Sequence, residues 1–585
     1  MAGDEEASGM VQQPLILVVG GDKLALRVTE ELCATAGHRV ALIWHHDPEI
    51  AAYAQKLGAE FLGFPPNDFD SLHAAGVDEA ASIMALSDDD RMNLQVALKA
   101  RDINPKIRVV LRQFNRQLGR KIAQNLPDCS VVSLSGHAAA TFAACAVDRS
   151  VFYAVQFPDL DGPLVAFARR QASVFGDIGT QTIAELESQH KIRIVGYNGM
   201  DFFVPGIIPR PEDEIVLFGD VATLEALVPK REVVIERRPW REVLNGVPEM
   251  LKSAFRRLDP IIKMVAIIAT CLFVAFSAYF NFVYHKDPVT AIYFVLTTMT
   301  TTGYGDITPI DKGPIPMLMA CGLMIIGTIL TGIFIAFMAE GFSRAQYVAT
   351  QGLRLLKHKD HIVVVGTGQV GTRVIDYLVE LRKKVVVIDP SPDPTIVDRV
   401  RNRDFSLLTG DATREEVLQM CNLMEAHSVV ALTGNETANL EVALGARARN
   451  PDLPVVMRVQ DDTFARLVEH QFSLDRSFST SELSAPGFAG LSRFPGTRGR
   501  IAYGDETYNV GERLQGEVPQ PPPAQDCIPL CVWRESGLVL INDFGQMKPY
   551  DRLLFLVPLS QFKAKPPAPK TEPEDAAEME TAATG

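Results

Sequence analysis

Two short runs of this chain combine residue types and spacings that imply chemistry. The first is Thr301-Thr302-Gly303-Tyr304-Gly305-Asp306. A backbone that replaces a cation's hydration shell must turn successive carbonyls toward one axis. That requires left-handed or otherwise strained dihedrals at intervals, which glycine adopts without a Cβ penalty. Gly303 and Gly305 supply them in alternation with side-chain-bearing residues. Thr301 adds a hydroxyl ligand at the inner end, the Tyr304 ring a brace, and Asp306 a carboxylate that attracts cations to the outer mouth. The second run is Gly366-Thr367-Gly368-Gln369-Val370-Gly371, preceded by the apolar stretch 361–365 and followed by a second one, 385–388, that ends on Asp389. This is a phosphate-cradling turn in its expected context of strand, helix and terminal acid. Gly366 makes the tight turn, Gly368 lets backbone approach a pyrophosphate, and Gly371 lets helix and strand pack closely. The N–H groups and dipole of the helix that opens at Gln369 and Val370 hold the phosphates. Asp389 accepts from ribose hydroxyls and disfavours a 2′-phosphate.

Each run needs elements to hold it. Around the first, residues 261–284 and 315–341 are apolar for about the 20 residues that cross a bilayer, and 288–299 reads as a short amphipathic helix between them. Irregular backbone at membrane depth is tolerated only where it is buried in protein or lines a watery cavity. The order is therefore outer helix 261–284, pore helix 288–299, filter 301–305 and inner helix 315–341. Lys252, Arg256, Arg257 and Lys263 precede the first span, and Arg344, Arg354, Lys357 and Lys359 follow the second. This bias places both termini in the cytoplasm of a multi-pass plasma-membrane protein. One filter strand cannot enclose an ion, so four chains must close a ring as a homotetramer in the lipid bilayer. Gly327, in the interior of the inner helix, reads either as a gating hinge or as a close-packing point.

The soluble parts repeat one another. Leu15–Val19 followed by Gly20-Gly21-Asp22-Lys23-Leu24-Ala25 and by His38–Trp44 copies the downstream scaffold, but Asp22 stands where Gly368 stands, Ala25 where Gly371 does, and Trp44 where Asp389 does. A side chain in the turn, a lost acceptor and a like charge against pyrophosphate all oppose the same ligand. The parallel continues: Ala81–Asn93 with Ala426–Asn439, Val109–Arg112 with Val455–Arg458, and Pro211-Glu212-Asp213 with Pro549-Tyr550-Asp551.

The run Thr301–Gly305 resembles the potassium-channel signature Thr-Val/Ile/Thr-Gly-Tyr-Gly, and the two repeats resemble RCK domains, the regulators of potassium conductance, over nearly the whole chain outside its tails. The resemblance implies K+ at Thr301, Thr302, Gly303 and Tyr304. It also implies that Asp411, in the family's Gly410-Asp411-Ala412-Thr413 turn, lies near an adenosine. In many members the RCK domains follow the pore, whereas here one precedes it. The fold class is thus a membrane α-helical pore domain flanked by two α/β Rossmann-type RCK domains. The expected division is a disordered 1–12, an upstream Rossmann lobe 13–135 with a degenerate nucleotide site, its C-lobe 136–231, a linker 232–258, the pore domain 259–342, a linker 343–359, a downstream Rossmann lobe 360–482, its C-lobe 483–562 and a disordered 563–585. The segment 232–258 reads either as an interfacial helix or as an ordinary helical linker.

Composition narrows the partners. A formal net charge of −14 over 585 residues argues against nucleic acid. Eight scattered cysteines show no zinc spacing and read as reduced thiols. Asp88-Asp89-Asp90 reads as a solvated loop or a Ca2+ ligand set, and Glu436, Asp461 and Asp462 have the same two readings. Arg458 either reaches a phosphate or forms an ion pair with a neighbouring domain. No nucleophile is paired with a base. The reading is a ligand-gated K+ channel, not an enzyme, whose regulatory ligand is NAD(H) or another adenine nucleotide, with Ca2+ second. A membrane-anchored NAD-dependent dehydrogenase, a large potassium uptake system and a non-selective RCK-regulated cation channel are the rivals.

Overall fold

The computed structural model describes residues 13–228, 260–284, 288–350, 358–514 and 527–559, apart from 36, 159–161, 177, 200–205, 402–404, 473, 505, 543 and 549. The tails and the whole segment 232–258 lie outside the described residues. The chain divides into two compact units, one formed by Met1–Pro229 with Leu355–Gly585 and the other by Lys230–Arg354.

In the first unit, β1 (Leu15–Val19), β2 (Arg39–Ile43), β3 (Glu60–Leu62), β4 (Ser82–Ala85), β5 (Arg108–Arg112) and β6 (Cys129–Val132) form a parallel sheet in the order 3-2-1-4-5-6. Its central strands are buried on both faces, as parallel sheets covered by helices must be, and they read as continuous apolar runs. β7 (Val151–Gln156), β8 (Leu164–Gln171), β9 (Arg193–Tyr197) and β10 (Glu214–Asp220) form an antiparallel sheet in the order 7-8-10-9. After the membrane segment the pattern recurs. β11 (His361–Val365), β12 (Lys384–Asp389), β13 (Ser406–Thr409), β14 (Ala426–Ala431), β15 (Val455–Val459) and β16 (Arg476–Ser479) take the order 13-12-11-14-15-16. β17 (Thr497–Tyr503), β18 (Glu506–Leu514), β19 (Ile528–Arg534), β20 (Gly537–Leu540) and β21 (Arg552–Pro558) form the last sheet, 17-18-21-19-20.

The two copies are interlocked. The helix after β6, Leu134–Val147, is Ala-rich, carries no Asp, Glu, Lys or Arg, and is buried on every side from Ala138 to Val147. No single sheet can cover such a helix. It packs on the Gln369–Glu380 helix of the downstream copy, while the Thr480–Leu491 helix packs on Lys23–Cys33 of the upstream one. Phe142 meets Phe478 edge-on with centroids 5.7 Å apart. The small antiparallel sheets share a core too, in which Tyr153, Phe167 and Phe218 join Ile501, Tyr508 and Leu556.

The second unit contains the helices Pro260–Tyr284, Pro288–Met299 and Pro314–Thr350. Each begins with proline, whose fixed φ suits the first helical position. The spans Lys263–Val283 and Pro314–Glu340, of 21 and 27 residues, are long and apolar enough to cross a membrane. The inner helix corrects the expected boundary: it runs past 341 to Thr350, into the segment read as a linker. Residues 343–350 contain neither Pro nor Gly, and Arg344, Ala345 and Gln346 are good helix formers. Phe280 and Phe294 lock the outer helix to the pore helix at 4.7 Å between centroids.

Because Phe142 is fully buried at the junction of the copies, Phe142→Ala should cost about 3–5 kcal/mol. The check is the thermal unfolding of the detergent-solubilised chain; an unchanged midpoint would show that the interlock contributes no stability.

Candidate functional site

The filter segment hangs from the C-terminal end of the pore helix. Thr302 N and Gly303 N both donate to Thr297 O, at 2.9 and 3.1 Å, and Thr301 N donates to Thr298 O at 3.2 Å. Positive φ recurs at every second residue: 60° at Thr301, 48° at Gly303 and 75° at Gly305. This alternation lets carbonyls that would zigzag in a regular strand turn toward one side. The sequence points to the glycines; Thr301, which adopts the left-handed region despite its side chain, is the position it does not reveal. Thr300 and Thr302 hydroxyls are 2.9 Å apart. The Tyr304 ring stacks parallel to Tyr293 of the pore helix, with centroids 6.4 Å apart. A Cβ on Gly327 would lie 2.7 Å from both Cα and O of Met299, whereas Gly322 and Gly332 have nothing within 4 Å. Gly327 thus lets the inner helix approach the end of the pore helix.

The downstream glycine turn is built by strand register. β11 pairs with β12 and β14, so that Val365 lies between Ile388 and Ala431, and Gly366 N donates to Ile388 O at 2.9 Å. Gly366 has φ 96°, and a Cβ on it would meet Thr433 N at 3.1 Å. A Cβ on Gly371 would lie 1.9 Å from Gly366 O, while Gly368 has nothing within 4 Å. The turn is closed where β-carbons would collide and open where a ligand must approach. Gly368 and Gln369 are exposed and Val370 is buried in the helix's packing face.

Asp389 Oδ2 accepts from Thr367 N at 2.6 Å and Thr367 Oγ1 at 2.7 Å, and Oδ1 accepts from Ser391 N at 2.8 Å. The expected ribose acceptor therefore also fixes the turn, through Thr367, a residue that the fingerprint leaves unspecified. Gly410 N donates to Asp389 O at 3.1 Å, which sets the Asp411 turn beside it. Asp411 Oδ1 accepts from Thr413 N and Oγ1 at 3.0 and 2.8 Å, and these bonds hold its carboxyl below the usual carboxylate range. At the end of β15, Arg458 is half-buried, and burial pushes its guanidinium pKa down. Among the described residues its guanidinium makes no ion pair. Asn439 Nδ2 ties the ends of β14 and β15 together by donating to Thr433 O and Arg458 O at 3.1 and 2.9 Å. Asn93 makes the same bonds, to Ser87 O and Arg112 O, at 2.7 and 3.1 Å, so its position in both repeats was the available signal for this role.

The acidic clusters serve loop ends. Asp89 caps its helix at Arg91 N and Met92 N, and Asp90 accepts from Phe114 N and Gln113 Nε2. Glu436 accepts from Gln460 N at 2.8 Å, and Asp461 caps at Thr463 N and Phe464 N. Among the described residues no group of three or more His, Cys, Asp or Glu is arranged to hold a metal.

Family models match the same three regions. The TrkA-N domain matches residues 16–128 and again 362–479, and an ion channel domain matches 262–344. The chain is an ion channel domain flanked by two TrkA-N (RCK) domains. It is similar to probable potassium channel protein 2 of Methanocaldococcus jannaschii, 26% identical over 204 residues, which are 34% of this chain and 59% of that one. It is also similar to the voltage-gated potassium channel Kch of Escherichia coli, 27% identical over 179 residues, 30% of this chain and 42% of that one. The matches thus span about half the length of these relatives. A solved structure of the GsuK channel bound to NAD aligns over 94% of this chain and 77% of that one, with 13% identity and a TM-score of 0.48.

The TrkA-N glycines differ in what they tolerate. Gly371→Ala forces the turn to shift and should cost about 1–3 kcal/mol, whereas Gly368→Ala should leave stability within about 0.5 kcal/mol. Thermal midpoints of the two variants decide this, and equal midpoints would refute the clash at Gly366 O.

Proposed function

We propose that four copies of this chain form a potassium-selective channel in the plasma membrane, gated by an adenine nucleotide such as NAD(H) on a ring of eight RCK domains. The observation that carries the reading is the alternation of positive φ at Thr301, Gly303 and Gly305 in a strand tied to the end of a pore helix. Carbonyls of Thr301, Thr302, Gly303 and Tyr304, with the Thr301 hydroxyl, replace the water of a K+ ion. Asp306 raises the local cation concentration at the mouth. One filter strand per chain requires three partners for closure.

Sidedness follows from connectivity and charge. The membrane segment is an insertion whose two ends return to one compact unit, so the chain crosses an even number of times, and the basic flanks point that unit to the cytoplasm.

The ligand reading rests on the downstream turn. The pyrophosphate sits on the N–H groups at Gly368, Gln369 and Val370, Asp389 takes ribose hydroxyls, Asp411 lies on the adenosine side and Arg458 faces the phosphates. Ligand binding that differs between two shapes of the ring shifts the inner helices through the helical extension to Thr350. Affinity and opening are then coupled reciprocally, by about 5- to 150-fold.

Potassium flux from liposomes holding the purified chain, with NAD(H), ADP or Ca2+ added on the cytoplasmic side, tests the whole reading. Flux should favour K+ over Na+ and respond to a nucleotide, and Asp389→Ala should weaken the nucleotide response at least about tenfold without abolishing conduction. Equal Na+ and K+ flux would replace the selective channel by a non-selective one. A response to Ca2+ alone would move the regulatory site away from the glycine turn.

A further inference from the structure

The two copies can be compared atom by atom because their strand registers coincide. β1 pairs Leu15 with Arg39 and Ile16 with Ser82, and β11 pairs His361 with Lys384 and Ile362 with Ser428. β4 pairs Ile83 with Val109, and β14 pairs Val429 with Val455. Counting outward, Asp22 stands at Gly368, Trp44 at Asp389 and Arg112 at Arg458.

In the upstream copy the Asp22 carboxylate lies where a phosphate would lie. It accepts from Ala25 N at 3.0 Å at the start of its helix, and it pairs with the Arg112 guanidinium, which also donates to Leu86 O at 2.9 Å. The Trp44 indole covers the turn so closely that a Cβ on Gly21 would sit 2.3 Å from its Nε1. In the downstream copy the same helix start carries no side chain, since Gly368 has nothing within 4 Å of its Cβ position. The backbone there is alike, with φ −84° and ψ 173° at Asp22 and φ −64° and ψ −173° at Gly368. The Arg458 guanidinium has no charged or hydrogen-bonding partner among the described residues, and only burial acts on it.

We propose that the upstream copy is a self-liganded form of the downstream site, in which the Asp22 carboxylate permanently takes the place of a ligand phosphate on Arg112. Arg458 is then the residue that receives the phosphate in the downstream copy, and the chain's nucleotide dependence resides there alone. A helix N-terminus and an arginine both favour an anion, and a carboxylate supplied by the chain satisfies them at all ligand concentrations. Each chain therefore contributes one copy held in a single state and one copy that a nucleotide can switch. This deepens the nucleotide reading above and rests on it.

The test exchanges the two chemistries in the full-length chain in detergent. Gly368→Asp places a carboxylate opposite Arg458 and should weaken NADH binding at least 100-fold, while the isosteric Gly368→Asn should weaken it at least tenfold less. Equal losses would show that bulk alone matters and would overturn the proposal. The converse uses inorganic pyrophosphate and the thermal midpoint. Gly368→Asp alone should show no stabilisation by pyrophosphate, and Gly368→Asp with Asp22→Gly should regain several degrees, because the upstream Arg112 is then released. If pyrophosphate acts equally on the single and double variants, Asp22 does not occupy an anion site. Failure of the wild-type chain to bind any nucleotide would sink the nucleotide reading instead, and the pyrophosphate comparison would still judge this proposal.

Discussion

The rest of the soluble unit depends on covering one helix. Leu134–Val147 offers no polar face, and a helix apolar all round is stable only when enclosed. Its own copy covers it chiefly with the Val151–Gln156 strand, and the other copy covers it with the Gln369–Glu380 and Thr480–Leu491 helices and with strands β14 and β15. Once that contact forms, segments separated by the whole membrane insertion become one core, which runs from Ala138 and Leu217 to Val364 and Leu378. The channel segment is thus an excursion from a closed body and not a linker between two independent ones.

That arrangement sets the glycine turn in a mechanical context. The helix that begins at Gly368 is the one on which the upstream crossover helix packs, and Tyr377 on it donates to Gln156 at 3.3 Å. The helix that follows the turn is thus in direct packing contact with the other copy. A buried interface responds to shifts by changing between discrete packings because it is close-packed. The upstream turn, tied by Asp22 and Arg112, has no comparable freedom.

The same economy of backbone geometry governs both sites. Filter segment and glycine turn each depend on positive φ, at Thr301, Gly303 and Gly305 in one and at Gly366 in the other. In both, the end of a neighbouring element fixes the segment: the pore helix in one, strand β12 in the other. Thr297 O holds two filter N–H groups, and Asp389 holds Thr367.

Much of this was legible from residue order. Apolar length placed the two spans, and the spacing of Gly366, Gly368, Gly371 and Asp389 placed the turn, because these are local constraints on a few adjacent dihedrals and side chains. The repeat, including the exchange of Gly368 for Asp22, was legible for the same reason. What the residue order did not disclose is contact between distant segments: the exchange of crossover helices, the bond from Thr367 to Asp389, the pairing of Asp22 with Arg112 while Arg458 stays unpaired, and the packing of Gly327 on Met299. Even the inner helix ran beyond its apolar stretch, since hydropathy marks where a helix meets lipid and not where its hydrogen bonds stop. Sequence by itself determined the elements and their chemistry, and only tertiary structure decided which groups are already satisfied within the chain, because satisfaction is a matter of distance and not of order.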